Sequence, residues 1–132
     1  MIHPIMVDYN NYSLLEVSIK RAIEQFGPIS LVVSWTLNYK TLKLIDQVIS
    51  QSSVTWRLYQ VKGSRRYFND EPLKLSPKCD HRSIYLGFIL EGDSSRWLTN
   101  EEISKGVIHS IEKDCKESII GTLHPYEKRP KY

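Results

Sequence analysis

The sequence predicts an α/β domain in which a parallel sheet is flanked by helices. Three observations carry that expectation: strand, helix and strand patterns follow one another twice in the first half, Gly27-Pro28 punctuates the first helix, and a capping box opens a later one. Pro4 to Asp8 is a short apolar run that delivers Asp8 to a polar turn, as a buried strand does at its carboxyl end. Ser13 to Phe26 places Leu15, Ile19, Ala22, Ile23 and Phe26 on one stripe, and Gly27-Pro28 removes the next helical donor. Ile29 to Trp35 is nearly continuous in β-branched and aromatic residues, which predicts a parallel strand covered on both faces.

The same order recurs in the next segment. Thr41 to Ser50 carries Leu42, Leu44, Ile45, Val48 and Ile49 at helical spacing, and Val54 to Val61 reads as a strand ending at Lys62-Gly63-Ser64. Periodicity disappears from Arg65 to Arg82, which predicts a surface excursion, and Ser83 to Leu90 returns as one strand. Thr99 and Glu102 form a capping box, because a hydroxyl and a carboxylate three positions apart satisfy first-turn amides that the helix cannot pair. That helix should run to about Lys113, followed by a strand over Ser118 to Leu123. The expected organisation is one domain over 1–123 and a polar tail over 124–132.

With 132 residues, 41% of them apolar, the chain is long enough for one core, and its net charge of +3 is too small to indicate a nucleic-acid partner. Its apolar runs fall well short of the roughly 18 residues needed for a membrane span, so membrane insertion is not expected. Cys79 and Cys115 stand far apart and form no CxxC pair, which predicts reduced packing thiols and a cytoplasmic location. The four histidines are isolated and no HExxH occurs, so no metal site is expected.

The stretch Val7-Asp8, followed after the helix by Ala22-Ile23-Glu24-Gln25-Phe26-Gly27-Pro28-Ile29-Ser30-Leu31-Val32-Val33, resembles the middle of the short-chain dehydrogenase/reductase family. There an aspartate ends the third strand, and a phrase with the same alanine, Phe-Gly and apolar spacing leads into the fourth. Arg96-Trp97-Leu98-Thr99-Asn100-Glu101-Glu102-Ile103-Ser104-Lys105-Gly106-Val107 and the ending Gly121-Thr122-Leu123-His124-Pro125-Tyr126-Glu127-Lys128-Arg129-Pro130 are similar to a small divergent bacterial branch of that family. The resemblance implies a Rossmann-like sheet lacking the first βαβ portion, through N-terminal truncation, and an ancestral NAD- or NADP-linked oxidoreductase acting on a small molecule. It places Ser64 near the family's catalytic serine and Asp8 where a cofactor's adenine amino group is bound. Asp8 has a second reading, as a turn residue capping the next helix, and Ser64 a second reading as part of its turn.

Three departures define what the resemblance leaves unfilled. The six glycines never form GxGxxG, Ser34-Trp35-Thr36-Leu37 stands where the family has Asn-Asn-Ala-Gly, and the stretch beyond Ser64 lacks the helix that carries tyrosine and lysine. Tyr39 and Lys43 do form YxxxK, but they follow the fourth strand instead of the fifth, and a chain with eight tyrosines produces about one such pair by chance. The chain is therefore expected to be inactive alone, with a non-catalytic binding or assembly module as the alternative. Trp35, Trp56 and Trp97 are expected to pack in or near the core, and the basic residues Lys62, Arg65, Arg66, Lys74, Lys78 and Arg82 to form a solvated face or an anion-binding rim. Right-handed crossovers running in one direction would put all the helices on one side of the sheet. The apolar strands Ile29 to Trp35 and Ser83 to Leu90 would then need covering by a second copy or a partner segment, which predicts a homodimer or a complex with such a segment.

Overall fold

The computed structural model describes residues 10–36, 38–52 and 55–131. The expected strand at Pro4 to Asp8, with Asp8 itself, lies outside the described residues. Helix α1 (Tyr12–Phe26) is followed by β1 (Leu31–Ser34), α2 (Tyr39–Ser52), β2 (Trp56–Lys62), a short α3 (Ser64–Phe68) and β3 (Cys79–Leu86). Then come β4 (Phe88–Glu91), β5 (Ser94–Trp97), α4 (Asn100–Lys113), β6 (Glu117–Ile120) and a 3-10 turn at Tyr126–Lys128. The architecture is α/β: β1, β2, β3 and β6 form a parallel four-stranded sheet in that order, with flanking helices, while β4 and β5 pair as an antiparallel hairpin. Among the described residues, no helix is long and apolar enough to cross a membrane.

Contacts divide the described chain into two compact units. The first comprises the residues up to Val32, Thr36 to Leu58, and Leu73 to Asp80. Its core is made where α1 meets α2: Leu15 and Ile19, one helical turn apart, join Leu42, Val48, Ile49, Trp56 and Leu58. Asn11 starts α1 by accepting the Leu14 N–H, and Gly27 closes it by donating to the Ile23 carbonyl. Asn38 does the same for α2, accepting from the amides of Lys40 and Thr41 at 3.0 and 3.4 Å. Buried Asp46 pins the segment before β3, with Oδ2 accepting the Ser76 N–H at 2.7 Å and Oδ1 accepting from the hydroxyls of Ser50 and Ser76. Half-buried Cys79 belongs to this unit, and burial together with the charges of Asp46 and Asp80 pushes its thiol up to about 12, so it stays protonated.

The second unit comprises Val33 to Trp35, Tyr59 to Pro72 and the described residues from His81 onward. Strands β3 and β6 run parallel in the register Ser83↔Glu117 to Leu86↔Ile120. Helix α4 lies against β6 because Gly106 has no side chain: a Cβ there would meet Ile120 Cδ1 at 2.6 Å. One turn later Ser110 Oγ and Ser118 Oγ are 2.8 Å apart. The expected capping box is present, with Thr99 Oγ1 accepting the Glu102 N–H and Glu102 Oε1 accepting the Thr99 N–H.

Several expectations are corrected. Ser83 to Leu90 is not one strand: β3 begins at Cys79 and ends at Leu86, and Gly87 breaks the chain into β4. The cause lies far along the sequence, because Gly87 and Phe88 donate their amides to Ile120 and Thr122, and a Cβ on Gly87 would sit against the Thr122 backbone carbonyl. Gly87→Ala should therefore cost about 1–3 kcal/mol, the usual range for overfilling a packed site. The midpoint of urea unfolding measures it, and an unchanged midpoint would remove this account of the break.

Nor is Arg65 to Arg82 all excursion, since it includes most of α3 and the start of β3. Strand β3 is not bare, because Ile84 and Tyr85, which point to opposite faces, are both buried. Strand β1, by contrast, is not covered on both sides: Val32 packs into the first core, whereas Leu31 and Val33 are each 39% exposed and Trp35 57% exposed.

Candidate functional site

The second unit concentrates polar chemistry at the end of β2. Lys62 closes that strand with its side chain only 2% exposed, which is tolerated because Nζ donates to Asp70 Oδ2 at 2.6 Å and to Ser83 Oγ at 3.0 Å. Asp70 also accepts from the Tyr85 hydroxyl at 2.6 Å and from Arg66 Nε at 2.9 Å. Burial alone would push the Asp70 carboxyl up, but the bonds from Lys62, Tyr85 and Arg66 outweigh it and hold the group well below the carboxylate range. The same environment pushes Tyr85 up to about 12, through burial first and then its bond to Asp70, so the phenol is a fixed donor. On the neighbouring strand His81 Nε2 meets Gln60 Oε1 at 2.9 Å, and burial, then the Lys62 charge, lowers the imidazole below its ordinary value. Lys62, Asp70, Ser83 and Tyr85 thus satisfy one another's polar groups beside the end of β2.

After Lys62, Gly63 caps the next helix and Ser64 opens α3. Ser64 Oγ lies 3.0 Å from the Tyr126 hydroxyl. Tyr126 is held in turn by the Phe68 ring, 4.5 Å between centroids, and by the Arg129 guanidinium, 4.3 Å above its own ring. Arg129 also donates through one terminal nitrogen to the Tyr126 carbonyl at 3.0 Å. The hydroxyl pair sits in the wall of a cleft of about 360 Å³ lined by Ser64, Arg65, Trp97, Tyr126, Glu127, Arg129, Pro130 and Lys131. Three cations face one carboxylate there, so the cleft is locally positive.

Among the residues singled out from the sequence, Ser64 is in this cleft, with Tyr126 as its hydrogen-bond partner. Asp8 lies outside the described residues. Tyr39 and Lys43 belong to α2 in the first unit, where the Tyr39 hydroxyl donates to the Lys74 carbonyl at 3.1 Å. Among the basic residues of that stretch, Lys62 and Arg66 bond Asp70, Arg82 bonds Asp114, and Lys78 donates to the Ser50 carbonyl. Of that group, Arg65 lines the cleft. Among the tryptophans, Trp56 is core, Trp35 is exposed and Trp97 is a cleft wall.

Among the described residues, no cluster of His, Cys, Asp and Glu could hold a metal ion. The strand end beside the cleft reads Gly63-Ser64-Arg65-Arg66-Tyr67-Phe68, without the further glycines of a GxGxxG turn. Compared with known proteins, the chain matches no family model, no curated protein and no solved structure.

Proposed function

We propose that this chain is a divergent relative of the short-chain dehydrogenases that works as a small-ligand binding module and does not transfer hydride by itself. The observation that carries this reading is the setting of Ser64. It occupies the carboxyl end of a parallel strand, where open α/β sheets bind ligands, yet its hydroxyl is paired with Tyr126 at the wall of a positively charged cleft. The tyrosine and lysine of the only YxxxK spacing in the sequence sit on α2, with the phenol committed to a backbone carbonyl. None of the six glycines belongs to a GxGxxG turn, whose amides neutralise a pyrophosphate. Calorimetric titration of the full chain with NAD(H) and NADP(H) should give no saturable binding in the micromolar range, and such binding to either cofactor would overturn the reading.

A further inference from the structure

We propose that the cleft beside Ser64 takes a flat organic anion, a single ring carrying a phosphate or carboxylate group; this builds on the binding-module reading above. Charge gives the first half of the argument. Among the described residues that line the cleft, Arg65, Arg129 and Lys131 stand with one carboxylate, Glu127. Arg129 is already positioned, because its Cζ lies 4.3 Å from the Tyr126 ring centroid and one terminal nitrogen donates to the Tyr126 carbonyl. Its remaining N–H groups are a preformed fork for paired anionic oxygens.

The two hydroxyls supply a neutral donor beside that charge. Ser64 and Tyr126 share one hydrogen bond, in which either oxygen is able to donate. Two hydroxyls carry two protons, so one O–H is left for an acceptor in the cleft. An anionic head group uses that donor, and a second cation does not.

The walls supply the other half. Trp97 is 40% exposed although it is a large apolar ring, and Phe88 holds it edge-on at 6.4 Å. With Pro130 it gives the cleft a flat apolar surface next to its cations. A volume of about 360 Å³ lies at the small end of the roughly 300–1,000 Å³ typical of ligand pockets, the size of a ring with one head group.

The test is an NMR titration of the full chain with phenyl phosphate, benzoate, inorganic phosphate and benzyl alcohol. Phenyl phosphate should shift the Trp97 indole and the Ser64 and Arg65 amides saturably, and bind at least about tenfold more tightly than inorganic phosphate or neutral benzyl alcohol. Benzoate distinguishes the head groups: affinity equal to that of phenyl phosphate assigns either anion, and weaker binding assigns phosphate. The Arg65→Gln/Arg129→Gln double variant should weaken phenyl phosphate at least about tenfold, and Trp97→Ala should bring it to the level of inorganic phosphate. Glu127→Gln, which removes the opposing charge, should tighten it, and gives an independent reading if the double variant does not fold. The proposal is overturned if no saturable shift appears at these residues into the millimolar range, if benzyl alcohol binds as well as phenyl phosphate, or if the charge variants leave affinity unchanged. Saturable NAD(H) binding in a parallel titration would instead overturn the binding-module reading, so the two failures are distinguishable.

Discussion

Asp70→Asn should destabilise the chain by about 3–5 kcal/mol at neutral pH, because it leaves the Lys62 ammonium buried without its counter-charge. Lys62→Met should cost less. In that variant Asp70 keeps the bonds from Arg66 and Tyr85, and the new side chain fills the volume without a charge. The two losses are read from urea unfolding, and a Lys62→Met loss as large as that of Asp70→Asn would mean that packing, not charge, dominates the site.

The pH dependence has a definite sign. Burial works against the Asp70 carboxylate, but the donors hold its folded pKa far below the ordinary value of 3.8. A group depressed on folding adds stability that is fully present above its unfolded pKa and is lost as pH falls through the folded one. The gap between the native chain and Asp70→Asn should therefore be constant above about pH 5 and narrow progressively as the solution is acidified below the carboxyl range. A gap that narrows with rising pH between 5 and 8 would contradict the assignment.

Trp56→Ala should cost about 3–5 kcal/mol, as truncation of a fully buried aromatic ring does. The indole is 2% exposed, packs in the cluster of Leu15, Ile19, Leu42 and Ile49, and donates through Nε1 to Ser50 Oγ at 3.0 Å. Ser50 in turn donates to Asp46, so the ring also closes the network that fixes Ser76. Trp56→Phe keeps most of the apolar volume and gives up the donor, for a smaller loss of about 1–2 kcal/mol. Trp35→Ala, at a ring that is 57% exposed, should stay within about 0.5 kcal/mol of the native chain. Thermal and urea unfolding of the three variants test the ranking, and equal losses at Trp35 and Trp56 would break it.

The elements that were legible in the sequence are those whose causes are local. Leu15 and Ile19 with Gly27 define α1, and Thr99 with Glu102 defines the start of α4, within one or two helical turns. The missed features depend on distant residues. Gly87 looks like an ordinary residue inside an apolar run until the Thr122 carbonyl is brought against it, and Ser94 to Trp97 becomes a strand only through pairing with Phe88 to Glu91. Lys62 reads as a turn signal beside Gly63, because its burial requires Asp70 and Ser83.

The candidate site shows the same division. Ser64 stands out through a family resemblance, but Tyr126, Arg129 and Lys131 lie in a polar, proline-interrupted stretch that carries no periodic signal. Nothing local indicates that Tyr126 meets Ser64 or that Arg129 covers its ring. Trp97 reads as packing in the sequence, and its exposed face gains meaning only from the cations beside it.

Pairing Ser83 with Glu117 closes a span of roughly thirty residues, and the entropy lost in closing a loop grows with its freely moving length. Nearly all of this span is locally bonded. The hairpin Phe88–Trp97 and the helix Asn100–Lys113 fill it, and Arg96 joins them by gripping Glu91 at 3.0 Å and Glu102 at 2.8 and 3.1 Å. That grip, with the Thr99 amide, holds the Glu102 carboxyl down at about 2, so the joint keeps its charge through mild acid. The crossover is thus two locally bonded elements with short connections at Gly87, at Leu98 and over the residues from Asp114 to Lys116. Where those elements form first, the chain length left to order when the distant strands meet is that of the connections and not of the whole span.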